Sequence, residues 1–193
     1  DGVVSDIRAI AEAVHEFGIP LIVDEAHGAH FGFHPYFPEN ANQQGADVVI
    51  HSVHKTLPAP TQTALLHMNG NLADREAVRK YLHMFQSSSP SYILMAGIDA
   101  CMGLLEIKAD DLFSKYADRL QRTRKKLGKL KNMELEESEH FDRSKIVIST
   151  KNTMLTGKQL YEELLEHYHL QMEMAAGAYI IAMTSIGDTD AGM

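Results

Sequence analysis

Apolar and polar positions alternate first with a helical beat. Ile7, Ile10, Ala11, Val14 and Phe17 recur three or four residues apart behind Ser5, a residue suited to cap a helix, and Gly18 is a natural stop. The pattern then becomes a short unbroken apolar run, Ile19-Pro20-Leu21-Ile22-Val23, closed by Asp24. Such runs suit strands buried on both faces, as in a parallel sheet covered by helices. A loop rich in Gly, Pro and Asn (28–45) leads to a second run, Asp47-Val48-Val49-Ile50, which ends at His51-Ser52. A third, 63–68, follows so soon that an antiparallel partner or a sharp reversal is expected.

Further along, 72–85 has helical spacing, Ser87-Ser88-Ser89-Pro90 breaks it, and 92–108 reads as an apolar helix. A separate, polar amphipathic helix is expected over 110–131. Its end is basic, with Arg122, Arg124, Lys125, Lys126, Lys129 and Lys131, and is expected to be a solvated face favoured by the helix dipole. The order then becomes strand (145–150), helix (156–168), strand (170–174), strand (178–184), which predicts the start of a small α+β domain. The boundary is expected near residue 110. No internal repeat or low-complexity stretch is visible.

Composition narrows the class. Of 193 residues 45% are hydrophobic, enough for a core, and the net charge of −8 argues against a nucleic-acid partner. No apolar run approaches the roughly 18 residues that span a bilayer, and none resembles a signal peptide, so a cytoplasmic protein with no membrane partner is expected. The single cysteine, Cys101, excludes an internal disulfide and a cysteine-based zinc site, and reads as a small core residue on an apolar helix face. The ten methionines read as core filler. The chain opens at Asp1 and stops after the turn-like Gly187-Asp188-Thr189-Asp190, which reads as a piece of a longer protein.

Nearly all candidate chemistry sits at two strand ends. One is Asp24-Glu25-Ala26-His27, after Leu21-Ile22-Val23; the other is Ser52-Val53-His54-Lys55-Thr56, after Val48-Val49-Ile50. In open α/β sheets ligands bind beyond the carboxyl ends of the strands. A pyridoxal-phosphate site needs a lysine amine to form a Schiff base with the aldehyde, and an acid to keep the pyridine nitrogen protonated. It also needs a small residue against the flat ring, and hydroxyls or N–H groups for the phosphate. Lys55, Asp24, Ala26, Ser52 and His54 supply these groups; Ala26 lies two residues beyond Asp24 and points the same way along an extended chain.

The segment from Val23 to His30, VDEAHGAH, together with Ser52 to Thr63, SVHKTLPAPTQT, resembles the major domain of the Orn/Lys/Arg decarboxylase family. Phe85-Gln86-Ser87-Ser88-Ser89-Pro90-Ser91-Tyr92 and Thr184-Ser185-Ile186-Gly187-Asp188-Thr189 are similar to that family as well, so the likeness covers nearly the whole chain. The resemblance implies an α/β, aspartate-aminotransferase-like (fold-type I) large domain with a mainly parallel sheet over 1–109, and a linking helix and the start of a small domain over 110–193. It implies that Asp24 bonds the pyridine nitrogen, Ala26 lies on the ring, and His27 sits near the phenolic oxygen. Ser52 and His54 would lie by the phosphate, Lys55 would carry pyridoxal 5'-phosphate, and Ser87 or Ser88 would reach a neighbouring subunit's phosphate. Lys55, Asp24 and His54 are thus the expected catalytic groups. The family's earlier phosphate loop and ring-stacking residue would lie upstream of Asp1. The implied activity is decarboxylation of a basic amino acid (arginine, lysine or ornithine) by a homodimer or higher homo-oligomer. An aminotransferase or aldolase-type lyase would use Asp24 and Lys55 equally.

Other readings fit less of the chain. Leu21 to His27 also matches the strand and DEAH box of a helicase, but that leaves Ser52 to Lys55 unexplained and suits an acidic chain poorly. His27, His30 and His34 with Asp24 and Glu25 match no metal-ligand spacing, so no metal is expected. Thr156-Gly157-Lys158-Gln159 lacks the preceding glycine of a phosphate loop and reads as a helix start. His140, His167 and His169 read as surface or satisfied histidines.

Overall fold

The first helix begins one residue later than its sequence suggests. Asp6, not Ser5, is the cap: its carboxylate accepts the Ala9 N–H at 3.0 Å, and α1 runs Ile7–His15. Phe17 lies past the helix end and is 77% exposed, so it extends no core face. The computed structural model describes residues 2–193, which form two units: Ser5–Pro35 with Glu39–Ala109, and residues 2–4 with Tyr36–Pro38 and Asp110–Met193.

In the first unit α1 is followed by β1 (Ile22–Asp24), a 3-10 turn (Ala41–Gln43), β2 (Val48–His51), α2 (Val53–Thr56), β3 (Leu65–Met68) and α3 (Arg75–Phe85). The sheet order is β1-β2-β3. β1 runs parallel to β2 with Asp24 opposite Ile50, and β3 is antiparallel with Leu65 opposite His51. The expected parallel pairing is thus the β1–β2 pair, and the short link to β3 imposes the reversal.

Side chains alternate across these strands, so Val23, Val49, His51 and His67 share one face, and Ile22, Asp24, Ile50 and Leu66 the other. The first face packs: Val49 is fully buried with Ala41 and Ala46, against Ile7, Leu21 and Val23. Ile22 on the second face is 63% exposed, which corrects the expectation of a strand buried on both sides. Asp47 fixes the start of the sheet, its Oδ2 accepting from the Leu21 N–H and from His15 Nε2, both at 2.8 Å.

The two expected helices around residue 110 are one. α4 runs Tyr92–Leu127 for 36 residues, because no proline interrupts it and 104–127 contains no glycine. Cys101 is buried on it, as expected, and burial pushes its thiol up. No helix among the described residues is long and apolar enough to cross a membrane. The methionines are mostly not core: Met84, Met95, Met154 and Met174 are exposed.

The second unit builds a four-stranded antiparallel sheet, β4 (Glu134–Glu136), β5 (Lys145–Ser149), β6 (Met174–Ala176) and β7 (Tyr179–Met183), in the order β4-β5-β7-β6, with α5 (Gly157–Tyr168). β4 is an element the apolar pattern does not reveal. Thr156 caps α5 in a capping box with Gln159, as the helix-start reading requires. Gly157 lies against the Tyr179 backbone, where a Cβ would clash. Phe113, Tyr116 and Leu120 form a buried stripe along α4, with Phe37 stacked on Tyr116 at 5.1 Å. The Tyr116 hydroxyl donates to Thr184 Oγ1 (2.7 Å), which donates to the Ser144 carbonyl (2.7 Å).

The basic helix end is not uniformly solvated. Arg124 is 6% exposed; it donates to Glu137 Oε1 at 2.6 and 2.8 Å and to the carbonyls of Arg143 and Lys145 at 3.0 Å. Arg119 and Arg122 both meet Asp190, holding its carboxyl below the usual range. The solvated-face expectation therefore fails at Arg124, where the buried carbonyls need a donor more than the guanidinium needs water.

Candidate active site

Parallel pairing of β1 and β2 brings two carboxyl ends side by side, and each carries one of the motifs. Past β1 the chain turns sharply: Asp24 Oδ1 accepts the Ala26 N–H at 3.0 Å, and the Gly28 N–H donates to the Glu25 carbonyl at 2.8 Å. Gly28 is needed there, since a Cβ would sit 2.7 Å from both Glu25 Cγ and the Phe31 ring. The turn leaves Asp24 and His27 exposed, Ala26 half-buried and Glu25 buried.

Past β2, Ser52 caps the single turn α2 without using its side chain as a cap. Val53, Thr56 and Leu57 are buried, and the Val53 N–H is held by the Thr63 carbonyl at 3.1 Å. One helical turn with those three inward puts His54 half-buried and Lys55 in solvent. The Thr56 hydroxyl, next to Lys55, is buried with no hydrogen-bond partner among the described residues.

The two strand ends meet. Lys55 Nζ lies 3.1 Å from His27 Nε2. A lysine ammonium has only donors, so in this contact Lys55 donates and His27 Nε2 accepts. Asp24, Ala26 and His27 thus lie on one turn and Ser52, His54 and Lys55 on the other, joined by this contact. Ser87 and Ser88 are elsewhere, on the exposed linker between α3 and α4. Ser87 Oγ donates to the Ser89 carbonyl at 3.1 Å, and among the described residues no hydrogen bond joins the pair to the other six.

Behind the turn is a group that sequence reasoning left out. Glu25 Oε2 accepts from His51 Nε2 at 2.6 Å, and its Oε1 accepts the Ala41 N–H at 3.1 Å. His51 Nδ1 lies 3.1 Å from His67 Nε2. His51 and His67 line a cavity of about 320 Å³ whose other walls include Phe31, Leu57, Leu65 and Met102. Burial, and then the neighbouring His51, lower the pKa of His67, while Glu25 pulls the other way. The signal was available in the alternation. With Asp24 facing out, Glu25 must face in, and a buried carboxylate requires a partner.

The family model described as Orn/Lys/Arg decarboxylase, major domain, matches residues 1–185. The chain belongs to this family. It is 32% identical over 196 residues to an arginine decarboxylase of Bacillus subtilis (strain 168), covering 97% of this chain and 40% of that protein. Among solved structures, the E. coli constitutive lysine decarboxylase superposes with a TM-score of 0.79 at 19% identity, over 100% of this chain and 33% of that one. Alanine–glyoxylate aminotransferase from Nostoc sp. superposes with a TM-score of 0.70 at 15% identity, over 99% of this chain and 55% of the other. The fold is therefore α/β of the aspartate-aminotransferase-like, fold-type I class. The chain spans about two-fifths of the length of the curated relatives it matches.

Proposed function

We propose that this chain carries the lysine-bearing half of a pyridoxal-phosphate site in a decarboxylase of basic amino acids, arginine, lysine or ornithine. Residues 1–109 would be the later part of the cofactor domain and 110–193 the linking helix and the start of a small domain. The observation that carries the reading is the meeting of the two strand-end motifs, with the Lys55 amine 3.1 Å from His27. Family membership over 185 residues and the arginine decarboxylase relatives support it.

The donor set suits the cofactor. Lys55 is an exposed primary amine, Asp24 an exposed carboxylate on the adjoining turn, and Ala26 a small side chain between Asp24 and His27 in sequence. When bound, pyridoxal phosphate would supply an electron sink for the pair released as the Cα–carboxylate bond breaks. Asp24 would hold a proton on the pyridine nitrogen. Its turn, closed by the Ala26 N–H, keeps the carboxylate pointed away from the packed face of the sheet. Lys55 would anchor the aldehyde carbon. Freed by the substrate amine, its ammonium or the His54 imidazole would return a proton to Cα. His27 would hydrogen-bond the phenolic oxygen, and Ser52 and His54 would hold the phosphate.

Ser87 or Ser88 would serve a neighbouring subunit. The surrounding surface supports association with a second copy: Phe85 is 87% and Ile93 81% exposed, with Tyr81, Met84 and Tyr92 also outward.

The test is turnover by the full-length protein supplied with pyridoxal phosphate and each basic amino acid. The expected products are carbon dioxide and the matching amine, and Lys55→Ala is expected to lower kcat by at least about a thousandfold. Keto-acid formation without carbon dioxide would identify an aminotransferase instead, and undiminished turnover by Lys55→Ala would contradict the assignment.

A further inference from the structure

The two motif-bearing turns are joined behind the exposed face by one buried contact. Glu25 stands between Asp24 and Ala26, and His51 directly precedes Ser52. Their side chains are 7% exposed each and meet at 2.6 Å. The carboxylate is held at both oxygens, by His51 Nε2 and by the Ala41 N–H, while the Glu25 backbone N–H donates to the Ile50 carbonyl at 3.0 Å. His51 is held in turn: with Nε2–H given to Glu25, its Nδ1 accepts from His67 Nε2 on β3. No other side-chain hydrogen bond in the described site runs directly from the first turn to β2.

We propose that Glu25 and His51 are positioning residues, a buried clamp that sets the separation and pitch of the Asp24–His27 turn relative to the Ser52–Lys55 turn. The inference rests on the pyridoxal-phosphate reading above. Its physical basis is the alternation of side chains. Because Glu25 and Asp24 point to opposite faces, pinning Glu25 fixes the backbone from which Asp24 and Ala26 project. His51 does the same for Ser52. A short hydrogen bond between a carboxylate and an imidazole in a water-poor setting is strongly directional, so it transmits a defined distance where packing alone would allow slippage. Neither residue needs to touch the cofactor.

A clamp depends on reach as well as on hydrogen bonding, and this separates it from a merely stabilising pair. Glu25→Gln keeps the length and lets the carboxamide oxygen accept from His51, giving up only the Ala41 contact, because its NH2 cannot accept from that N–H. Glu25→Asp keeps the charge but withdraws it by one methylene. The experiment measures pyridoxal-phosphate affinity by absorbance titration of the full-length protein. It also measures the fraction of Lys55 that borohydride traps with the cofactor, and checks by circular dichroism that each variant is folded. Glu25→Asp and His51→Ala are expected to weaken affinity by about tenfold or more and to lower trapping, with Glu25→Gln within about threefold of the parent.

Folded Glu25→Asp with parental affinity and trapping would overturn the clamp, as would Glu25→Gln behaving like Glu25→Asp. Should His51→Ala fail to fold, the Asp/Gln contrast at position 25 decides alone. A parent protein that takes up no pyridoxal phosphate, or traps it equally after Lys55→Ala, would overturn the reading beneath and the clamp with it.

Discussion

At the residue scale, neighbouring carboxylates are given different work by the pleat of one strand. Asp24 faces solvent at the strand end, available to a ligand, while Glu25 turns inward and is consumed by His51 and Ala41. The histidines divide similarly. His27 accepts from Lys55 at the surface, whereas His67 is partly buried beside His51 and titrates below the ordinary histidine value. That depression has a defined sign for stability. The unfolded chain protonates His67 near pH 6.5 and the native chain at lower pH, so below about 6.5 the unfolded state binds more protons. The stability this group contributes is complete above about pH 6.5 and drains as the pH falls through the native value. Thermal melts of the parent between about pH 8 and 5 should fall across that window, and His67→Gln should remove part of the fall. An identical slope in the variant would show that His67 is not a source of it.

At the element scale, the short parallel pair β1–β2 matters most, because it sets the two motifs side by side. Its two strands were legible as unbroken apolar runs, and the reversal into β3 as a link too short for a crossover. The rest was less legible for identifiable reasons. The continuity of α4 was hidden because its composition changes from apolar to charged near Asp110, while the backbone registers only the absence of proline and, from 104 on, of glycine. Hydrophobic patterning reports burial, not helix continuity. Asp110→Pro discriminates: in the middle of one helix it should destabilise by about 3 kcal/mol or more in urea denaturation, whereas at the first turn of a second helix it would be nearly neutral. β4 was missed because Glu134-Leu135-Glu136 offers one apolar residue to an edge strand. Arg124 was misread because a sequence shows a run of cations, not the two carbonyls that one of them must satisfy.

Of the candidate site, Asp24, Ala26, His27, Ser52, His54 and Lys55 were proposed from motif and resemblance, and the structure gathers them on two adjoining turns. Glu25 and His51 were not, because partnership between buried groups is a property of register. Ser87 and Ser88 stay apart from these turns within one chain.

At the scale of the whole molecule, Phe85, Tyr92 and Ile93 leave large apolar side chains exposed on a chain with a net charge of −8. Phe85→Ser with Ile93→Ser should shift the full-length protein to a smaller species in sedimentation velocity; an unchanged distribution would place the association elsewhere. Beyond association, everything proposed for the molecule depends on which amine takes the cofactor. Incubation of the full-length protein with pyridoxal phosphate, borohydride reduction and peptide mapping by mass spectrometry reads this directly. The expected result is a single pyridoxyl group on Lys55; a label on another lysine, or none, would contradict it.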